Sequence, residues 1–419
     1  MKKRHAAIVA CALIITVGVL ALILSAVRTW QFPEPAGKYI PGLIALSVTD
    51  TTRSDPFARD HRAPREVLVW IWYPAIQAPG ARPIGYVEKN PGVIGQLASM
   101  LSLPPFLFSG ANQVTTHSFW EAPVVRIDTG FPVLLFSHGI GIGTVGQNIS
   151  QFEHLASRGY VIVSIGHTHE SCLVTFPDGR GIPADPVRWK EFLRQAKATF
   201  IQKPLPLMAS AVSAQQKDSL ARAYIGLVPL LYESLDVWTH DTRFVLDELD
   251  RLKAHADSSS VFSRMDLART GIFGHSMGGM TAQQVTLDDE RIVAGISYDG
   301  PPVPDVMQKG LEQPFLFMAC EGLRAMNDPA IEHSKQALGM SIKGTTHFNF
   351  CDFNLWFNAA PLWRLLGLAG SIDGHRCDAI VTRCTEAFFD KYLNGRNSDL
   401  AGIVKDFPEV TLTSNPVSR

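Results

Sequence analysis

The chain has 419 residues, of which 46% are hydrophobic and 18% charged, and this composition excludes disordered and fibrous proteins. Its 38 Lys and Arg residues nearly balance its 39 Asp and Glu residues, whereas a nucleic-acid-binding protein usually carries a strongly basic surface. We therefore expect a globular domain that has a large apolar core and binds no nucleic acid. The composition excludes neither small-molecule nor lipid substrates.

The first thirty residues predict a segment that is separate from the folded domain. Lys2, Lys3 and Arg4 precede the uncharged, apolar stretch 6–27. A membrane-spanning helix needs roughly 20 apolar residues, whereas the apolar part of a cleaved signal peptide has about 7–15. We predict a signal-anchor transmembrane helix within 1–30, with a cleaved signal peptide as the alternative. The leading positive charges then place the rest of the chain outside the cytoplasm, in the periplasm or the extracellular space.

Short apolar runs alternate with helical stretches between residues 66 and 319. The predicted strands cover 66–73, 132–137, 160–165, 271–273 with their flanks, 293–298 and 314–319. The predicted helices cover 148–157, 234–255 and 278–287. Continuous apolar runs of this length are typical of buried strands, and their alternation with helices predicts an α/β fold with a mostly parallel central sheet. Residues 31–65, rich in Pro, Gly and Asp, predict a linker and an irregular entry strand.

The segment 183–232 interrupts this alternation with helical character and no predicted strand. Connections in α/β sheets normally have about 2–6 residues, and much longer excursions are often lids over a binding site. We predict a helical lid, with a helical decoration on the side of the domain as the alternative. Nothing in the sequence divides 31–419 into two domains.

Five cysteines follow the predicted anchor, namely Cys172, Cys320, Cys351, Cys377 and Cys384. An exported domain can form disulfides, and an odd number leaves at least one cysteine unpaired. Cys377 and Cys384 are close enough in sequence to pair, but buried free thiols explain the five residues equally well.

The strongest functional motif is Gly-His-Ser-Met-Gly-Gly at 274–279, which follows a predicted strand and precedes a predicted helix. This context is that of the nucleophile elbow of α/β-hydrolases, a turn so tight that the residues flanking the serine must be glycines. We therefore predict that Ser276 is a catalytic nucleophile. The alternative is a glycine-rich turn with an idle surface serine.

A catalytic serine needs a base, and the α/β-hydrolase order of Ser, acid and His leaves three candidates. His347 follows a short extended run and a polar turn, whereas His333 lies in a predicted helix and His375 in a loop. We predict His347 as the base.

The acid that orients this histidine has two main candidates, Asp299 and Glu321. Each stands at the carboxyl end of a predicted strand, where such sheets place functional groups, and Asp328 is a weaker third candidate. Spacing alone does not choose between Asp299 and Glu321. The oxyanion of the reaction needs two backbone N–H donors, which we assign to Met277, after the nucleophile, and Ile140, in the loop after an earlier strand.

The segments 136–140, 274–279 and 342–353, with the strand that ends at Asp299, resemble the secreted and type II intracellular platelet-activating factor acetylhydrolases, which are calcium-independent α/β-hydrolases. The resemblance covers residues 40–395 with the motifs in the same order. It implies that Asp299 is the acid, and it supports Ile140 and Met277 as oxyanion donors. The family usually has an aromatic residue where this chain has Met277, and the segment 183–232 matches poorly.

The resemblance implies a serine carboxylic ester hydrolase that cleaves short-acyl or oxidised phospholipid esters through an acyl-enzyme, without a cofactor. Its expected partners are the ester substrate and, through the N-terminal helix, the membrane. One alternative is a general carboxylesterase or lipase that acts on small hydrophobic esters. A non-catalytic binding protein with a hydrolase fold is the other.

Three further features have simpler explanations. The stretch 141–146 matches the Gly-x-Gly-x-x-Gly pattern of dinucleotide sites, but Ser-His-Gly separates it from the strand. His167, His169 and Glu170 could bind a metal, yet a polar loop at a strand end also explains them. The aromatic residues of 348–363 could line an acyl pocket or pack in the core. We predict no metal site and no nucleotide site.

Overall fold

A computed structural model describes residues 16–18, 29–60, 62–202, 213–358 and 361–414. The apolar stretch 6–27 lies almost entirely outside the described residues, so the signal anchor stays a prediction. Among the residues that are described, no helix combines the length and the hydropathy needed to cross a bilayer.

Twelve strands are present in the described ranges. They are β1 Ile40–Ser54, β2 Pro64–Ala75, β3 Phe119–Trp120, β4 Phe131–Ser137, β5 Val161–Gly166, β6 Leu173–Thr175, β7 Gly181–Pro183, β8 Met265–His275, β9 Ile292–Tyr298, β10 Phe315–Cys320, β11 Ala337–Ile342 and β12 Val410–Ser414. Ten of them form one sheet in the order β12-β11-β10-β9-β8-β4-β5-β2-β1-β3, and β6 pairs with β7 apart from it. The centre of the sheet, from β11 to β5, is parallel, whereas β12 and β2 pair antiparallel with their neighbours β11 and β5. The predicted α/β fold with a mostly parallel sheet is therefore confirmed.

The α-helices described are α1 Val93–Leu101, α2 Ile149–Arg158, α3 Pro186–Gln202, α4 Ala214–Leu227, α5 Pro229–Ala254, α6 Met277–Asp288, α7 Pro304–Lys309, α8 Asp328–His333, α9 Phe353–Asn358, α10 Pro361–Leu365, α11 Gly374–Asn394 and α12 Leu400–Val404. Short 3-10 helices cover Pro105–Gln113, Val261–Arg264, Arg324–Asn327 and His347–Phe350. In the region of the predicted lid, α3 and α4 follow β7, and α5 begins at Pro229.

Helices cover both faces of the sheet because successive residues of a strand point to opposite faces. On β8, Phe273 packs into one apolar core with Phe152 of α2 and Phe389 of α11. The preceding residue, Ile272, packs into a second core with Trp238 of α5, on the other face. These two cores hold the carboxyl ends of β4, β8 and β9 in fixed positions beside one another.

Where the sequence predicts a linker and an irregular entry strand over 31–65, the structure has the 15-residue strand β1, whose pairing with β2 is interrupted between Asp50 and Ser54. The strand is therefore longer than the composition indicates. It pairs antiparallel with β2 from Ile40, opposite Ala75, to Asp50, opposite Arg65. Gly42 of β1 leaves room for the ring of Tyr73, since a Cβ atom at this position would lie 2.5 Å from that ring. Pairing with a buried neighbour therefore overrides the local composition.

All five described cysteines are free and buried. Cys377 and Cys384 both lie on α11, where a separation of seven residues corresponds to about 10 Å along the helix axis. That separation is too long for a disulfide, which needs Cα atoms within about 7 Å of each other. Of the two alternatives that the sequence left open, the structure therefore shows buried free thiols and no disulfide between Cys377 and Cys384.

Candidate active site

The turn between β8 and α6 places Ser276 in a strained backbone conformation, with φ 59° and ψ −117°. Its flanking glycines have no room for a side chain. A Cβ atom at Gly278 would lie 1.8 Å from the carbonyl oxygen of Ser137, and one at Gly274 would lie 2.3 Å from the oxygen of Gly278. Such strain costs about 1–3 kcal/mol and persists only where the surrounding structure enforces it. Here the Ser276 N–H donates to the carbonyl of Tyr298 at 2.9 Å and thereby anchors the turn to β9.

His347 and Asp299 form a short hydrogen bond, with 2.6 Å between Nδ1 and Oδ2. The other carboxylate oxygen of Asp299 accepts the N–H of Cys320 at 2.7 Å. Burial by itself raises the pKa of Asp299, but the hydrogen bond and the charge of His347, with the Cys320 N–H, outweigh it and lower that pKa. Asp299 is therefore a carboxylate that accepts the Nδ1 proton, which leaves Nε2 of His347 able to accept another proton.

Ser276 and His347 line the same cavity. Among the described residues, no hydrogen bond joins the Ser276 hydroxyl to the His347 ring, and the structure brings these two residues together as parts of the lining of one cavity. Hydrogen bonds of this kind are often long until a substrate is bound.

Two backbone N–H groups beside Ser276 have no acceptor in the described part of the chain, those of Ile140 and Met277. Ile140 lies in the loop after β4 and lines the cavity. Met277 is the first residue of α6, where helix geometry leaves the N–H without an internal partner and the helix dipole favours negative charge. Two free donors next to a nucleophile are the arrangement that stabilises an oxyanion.

Most of the remaining side chains that line this cavity are apolar. It encloses about 410 Å³ including its mouth, and its walls include Ile142, Trp189, Phe192, Phe348 and Phe353. Trp189 and Phe192 belong to α3 in the predicted lid, and their rings stack with 5.3 Å between centroids. The loop after β4 has a glycine at this contact, since a Cβ atom at Gly141 would lie 2.3 Å from the Trp189 ring.

A family model described as platelet-activating factor acetylhydrolase, isoform II, matches residues 48–203 and 235–403. The chain belongs to this family. The two matched ranges leave out 204–234, which is part of the predicted lid, whereas the cavity residues on α3 lie inside the first range.

Three curated relatives show how far the similarity to this family extends. The chain is 26% identical over 286 residues to a platelet-activating factor acetylhydrolase of Cavia porcellus, covering 65% of this chain and 60% of the relative. The identity to a platelet-activating factor acetylhydrolase of Canis lupus familiaris is 24% over 398 residues, covering 92% of this chain and 80% of that relative. A probable 1-alkyl-2-acetylglycerophosphocholine esterase of Arthroderma benhamiae is 25% identical over 303 residues, covering 67% and 66%. The matched region spans about three fifths of the Cavia porcellus relative.

A solved structure supports the fold. It is a ferulic acid esterase from Streptomyces cinnamoneus, with a TM-score of 0.65 and 24% identity, covering 92% of this chain and 100% of that chain. At this level of identity the similarity shows a shared fold alone.

The other candidates for the base and the acid do not line this cavity. His333 bonds to the Pro329 carbonyl within α8, and His375 is exposed in the first turn of α11. Glu321 is exposed, and Asp328 pairs with Lys217 of α4. Of the three acids, the structure brings only Asp299 to His347.

His167 and Glu170 belong to a buried polar network beneath the sheet edge. The Nδ1 atom of His167 lies 3.0 Å from Asp241 Oδ2, and its ring stacks on Trp238. Burial lowers the pKa of His167 to about 4, against the opposing effect of Asp241. Glu170 accepts hydrogen bonds from Trp238 and Ser234, so each of its carboxylate oxygens has a partner within the protein.

The glycine stretch 141–146 belongs to the loop that carries Ile140. The Gly141 N–H donates to the Glu170 carbonyl at 2.7 Å, and the Gly143 carbonyl accepts the N–H of Cys172 at 2.8 Å. This loop also contains a residue that the sequence did not identify, Gln147, whose side chain lines the cavity. Its partners lie 8 and 128 positions away in the chain, so no local pattern could have revealed them.

The aromatic residues of 348–363 divide between the two roles that the sequence left open. Phe348 and Phe353 line the cavity. Trp356 and Trp363 pack in the core, with exposed fractions of 2% and 0%.

Proposed function

We propose that the chain is a serine ester hydrolase that cleaves short-acyl or oxidised phospholipid esters. One observation carries this proposal: Ser276 on its strained turn, His347 held by Asp299, and Ile140 with its free N–H line one cavity, and the free N–H of Met277 directly follows Ser276. Each of these groups has a role in ester hydrolysis through an acyl-enzyme.

The first half of the reaction transfers the acyl group to the protein. Ser276 Oγ attacks the ester carbonyl carbon while His347 Nε2 takes the hydroxyl proton. The carbonyl oxygen becomes an oxyanion, which accepts hydrogen bonds from the N–H groups of Ile140 and Met277. As the tetrahedral intermediate collapses, the bond to the alcohol oxygen breaks and His347 returns the proton to the leaving alkoxide. Asp299 stabilises the imidazolium that exists between these two transfers.

The second half regenerates the enzyme. A water molecule gives a proton to His347 Nε2 and attacks the acyl carbon, and the same two N–H groups hold the second oxyanion. Collapse of this intermediate returns the proton to Ser276 Oγ and releases the carboxylic acid. The steps use only groups of the chain, the ester and water.

The substrate class rests on the relatives and on the cavity walls. The relatives from Cavia porcellus and Arthroderma benhamiae are named as a hydrolase of platelet-activating factor and an esterase of 1-alkyl-2-acetylglycerophosphocholine, an acetylated phospholipid. The apolar walls formed by Trp189, Phe192 and Phe348 suit an ester with a hydrocarbon portion. These walls suit other small hydrophobic esters equally well, so a general carboxylesterase is the second candidate.

Labelling with a fluorophosphonate probe tests the reaction. We expect the folded wild-type protein to be labelled and the Ser276→Ala variant to be inert. A panel of p-nitrophenyl esters and 2-acyl phospholipids, run on both proteins, then tests the substrate. Absence of labelling in folded wild-type protein would refute the enzyme proposal. Hydrolysis of the p-nitrophenyl esters alone would favour the general carboxylesterase.

We further propose that the domain functions outside the cytoplasm behind an N-terminal anchor. The support is the sequence itself, in which Lys2, Lys3 and Arg4 precede the apolar stretch 6–27. A C-terminal fusion to a reporter that is active only after export, combined with membrane fractionation, tests both parts. Export without membrane association would favour the cleaved signal peptide, and an inactive reporter would refute the location.

A further inference from the structure

We propose that Gln147 is a positioning residue that fixes the loop of Ile140 and the backbone of His347 relative to each other. This inference rests on the proposed function, because its effect is on the geometry of the acyl-transfer step. The side chain of Gln147 is buried between these two segments, and both ends of its amide group have partners.

The carbonyl end of the amide holds the oxyanion loop. Gln147 Oε1 accepts the N–H of Gly139 at 2.8 Å, and Gly139 directly precedes Ile140. This hydrogen bond fixes the peptide unit that joins residues 138 and 139, and the Ile140 N–H assigned to the oxyanion belongs to the next unit. The two planar units meet at the Cα atom of Gly139, so the bond restrains the point from which the Ile140 N–H is directed.

The amino end of the same amide reaches the nucleophile turn. Gln147 Nε2 donates to His275 Nδ1 at 2.7 Å, and His275 directly precedes Ser276. On the other side of its ring, His275 Nε2 donates to the carbonyl of His347 at 2.9 Å. The backbone carbonyl of Gln147 also accepts the N–H of Asp352, which follows the 3-10 helix of His347.

The direction of these hydrogen bonds follows from the groups involved. An amide NH₂ group can only donate, so His275 Nδ1 must accept and its single proton must reside on Nε2. The carbonyl of His347 can only accept, so it receives that proton. Gln147 therefore selects the one neutral tautomer of His275 that can hold the His347 backbone.

The surroundings of His275 keep its ring neutral. Burial lowers the pKa of His275 to about 3, and positive charge on His347 lowers it further, whereas Asp299 acts in the opposite direction. His138, itself buried and with a pKa lowered to about 3, is a further titratable group whose charge interacts with that of His275. A neutral ring matches the single-proton arrangement that the Gln147 amide requires.

The space around the amide is closely filled. A Cβ atom at Gly143 would lie 2.3 Å from Gln147 Oε1, and one at Gly139 would lie 3.3 Å from His275 Nδ1. Loss of the amide would leave the Gly139 N–H and His275 without their partners, and buried polar groups without partners shift the backbone that carries them. A displacement of about 1 Å in a catalytic group can cost a hundredfold in rate.

Two variants of Gln147 and one control test this role. Gln147→Met preserves the length of the side chain and removes both hydrogen bonds. Gln147→Glu preserves the acceptor for Gly139 but has no proton to donate to His275. Gln151→Met is the matched control, since Gln151 is also buried, lies four residues later in the chain and binds Asp378, and it does not line the cavity. The measurements are kcat and KM for one p-nitrophenyl ester, the rate of fluorophosphonate labelling and the thermal unfolding midpoint.

We expect Gln147→Met to lower kcat about tenfold to a hundredfold, with KM within about twofold of the wild-type value and labelling slowed in parallel. Gln151→Met lowers the unfolding midpoint but preserves kcat in the folded protein. In Gln147→Glu, His275 keeps its bond to His347 only as an imidazolium paired with the introduced carboxylate. The kcat of this variant relative to wild type should therefore fall as the pH rises from about 6 to 9.

The outcomes separate this inference from the proposed function. Wild-type protein that neither hydrolyses esters nor reacts with the probe would refute the proposed function. Active wild-type protein combined with a Gln147→Met kcat within about twofold of it would refute the positioning role alone. A Gln147→Glu pH profile parallel to that of wild type would refute the tautomer selection.

Discussion

The carboxylate of Asp299 is completely buried and lies 2.6 Å from Nδ1 of His347, whose side chain is partly exposed at the cavity. This pairing keeps the charge of the acid away from water and directs the free nitrogen of the histidine toward the cavity. It predicts that the acid acts by selecting a tautomer of His347.

Asp299→Asn should therefore lower kcat about a thousandfold or more with little change in KM, because the introduced NH₂ group favours the tautomer with its proton on Nε2. Glu321→Gln is the control, since Glu321 stands at the end of the next strand and is exposed. Steady-state kinetics of both variants on one ester provides the measurement. Full activity in Asp299→Asn, or a large loss in Glu321→Gln, would contradict the assignment.

Gly278→Ala should destabilise the fold and abolish probe labelling, because the new methyl group would lie 1.8 Å from the Ser137 carbonyl. We expect a loss of about 2–4 kcal/mol in the free energy of unfolding. Gly95→Ala is the matched substitution within α1, where nothing lies within 4 Å of a Cβ atom. It should be neutral or stabilise by up to about 1 kcal/mol. Chemical denaturation measures both, and equal effects would contradict the steric explanation.

Trp189→Ala should change which esters are hydrolysed, because this ring forms one wall of the cavity and covers the loop at Gly141. We expect kcat/KM for esters with bulky acyl groups to fall about tenfold, and that for acetyl esters to fall less. Val187→Ala is the control, since Val187 lies on the same helix and is 75% exposed. It should not change the ratio of kcat/KM for bulky-acyl esters to kcat/KM for acetyl esters. A ratio that stays the same in Trp189→Ala would remove α3 from substrate selection.

Asp241→Asn should be strongly destabilising. Asp241 and Arg65 are fully buried with 2.7 Å between Oδ2 and Nη2, and the charge of Arg65 outweighs burial to lower the pKa of Asp241. Removing one charge of a buried pair typically costs about 3–5 kcal/mol. The control is Asp236→Asn on the same helix, where 77% of the side chain is exposed. Urea unfolding of both variants provides the measurement, and a loss below about 1 kcal/mol in Asp241→Asn would contradict the prediction.

The buried acid Asp378 predicts that the free energy of unfolding falls as the pH rises. This effect is opposite to that of Asp299, whose lowered pKa makes the protein more stable as the pH rises. Burial raises the pKa of Asp378 to about 6, although Ser150 and Gln151 donate hydrogen bonds to it. The unfolded chain ionises this group near 3.8, so the folded state holds its proton more tightly. The free energy of unfolding therefore falls as the pH rises from about 4 to 6, by up to roughly 3 kcal/mol from this group.

Asp378→Asn should remove this cost and be more stable than wild type at neutral pH. Denaturation of both proteins at several pH values between about 4 and 8 measures the difference in the free energy of unfolding. A wild-type stability that rises across this interval, with no difference from the variant, would show that Asp378 is not the source.

The tight turn around Ser276 could be predicted from the sequence because its residues are contiguous. The turn at 274–279 needs glycines for reasons that are local to the backbone, and the buried strands around it are continuous apolar runs. Residues 31–65 show where this reasoning stops. Their composition predicts a linker and an irregular entry strand, whereas antiparallel pairing with β2 gives a continuous strand from Ile40 to Asp50.

The tertiary structure decided the contacts between distant segments. Asp299 and Glu321 both end a strand, and spacing could not separate them, because only the path of the chain beyond β9 and β10 determines which carboxylate faces His347. Gln147 has no sequence signal at all, since its partners are Gly139, eight positions earlier, and His275, 128 positions later in the chain. Local sterics are encoded in neighbouring residues, whereas the direction of a side chain across a sheet edge depends on how every strand beneath it packs.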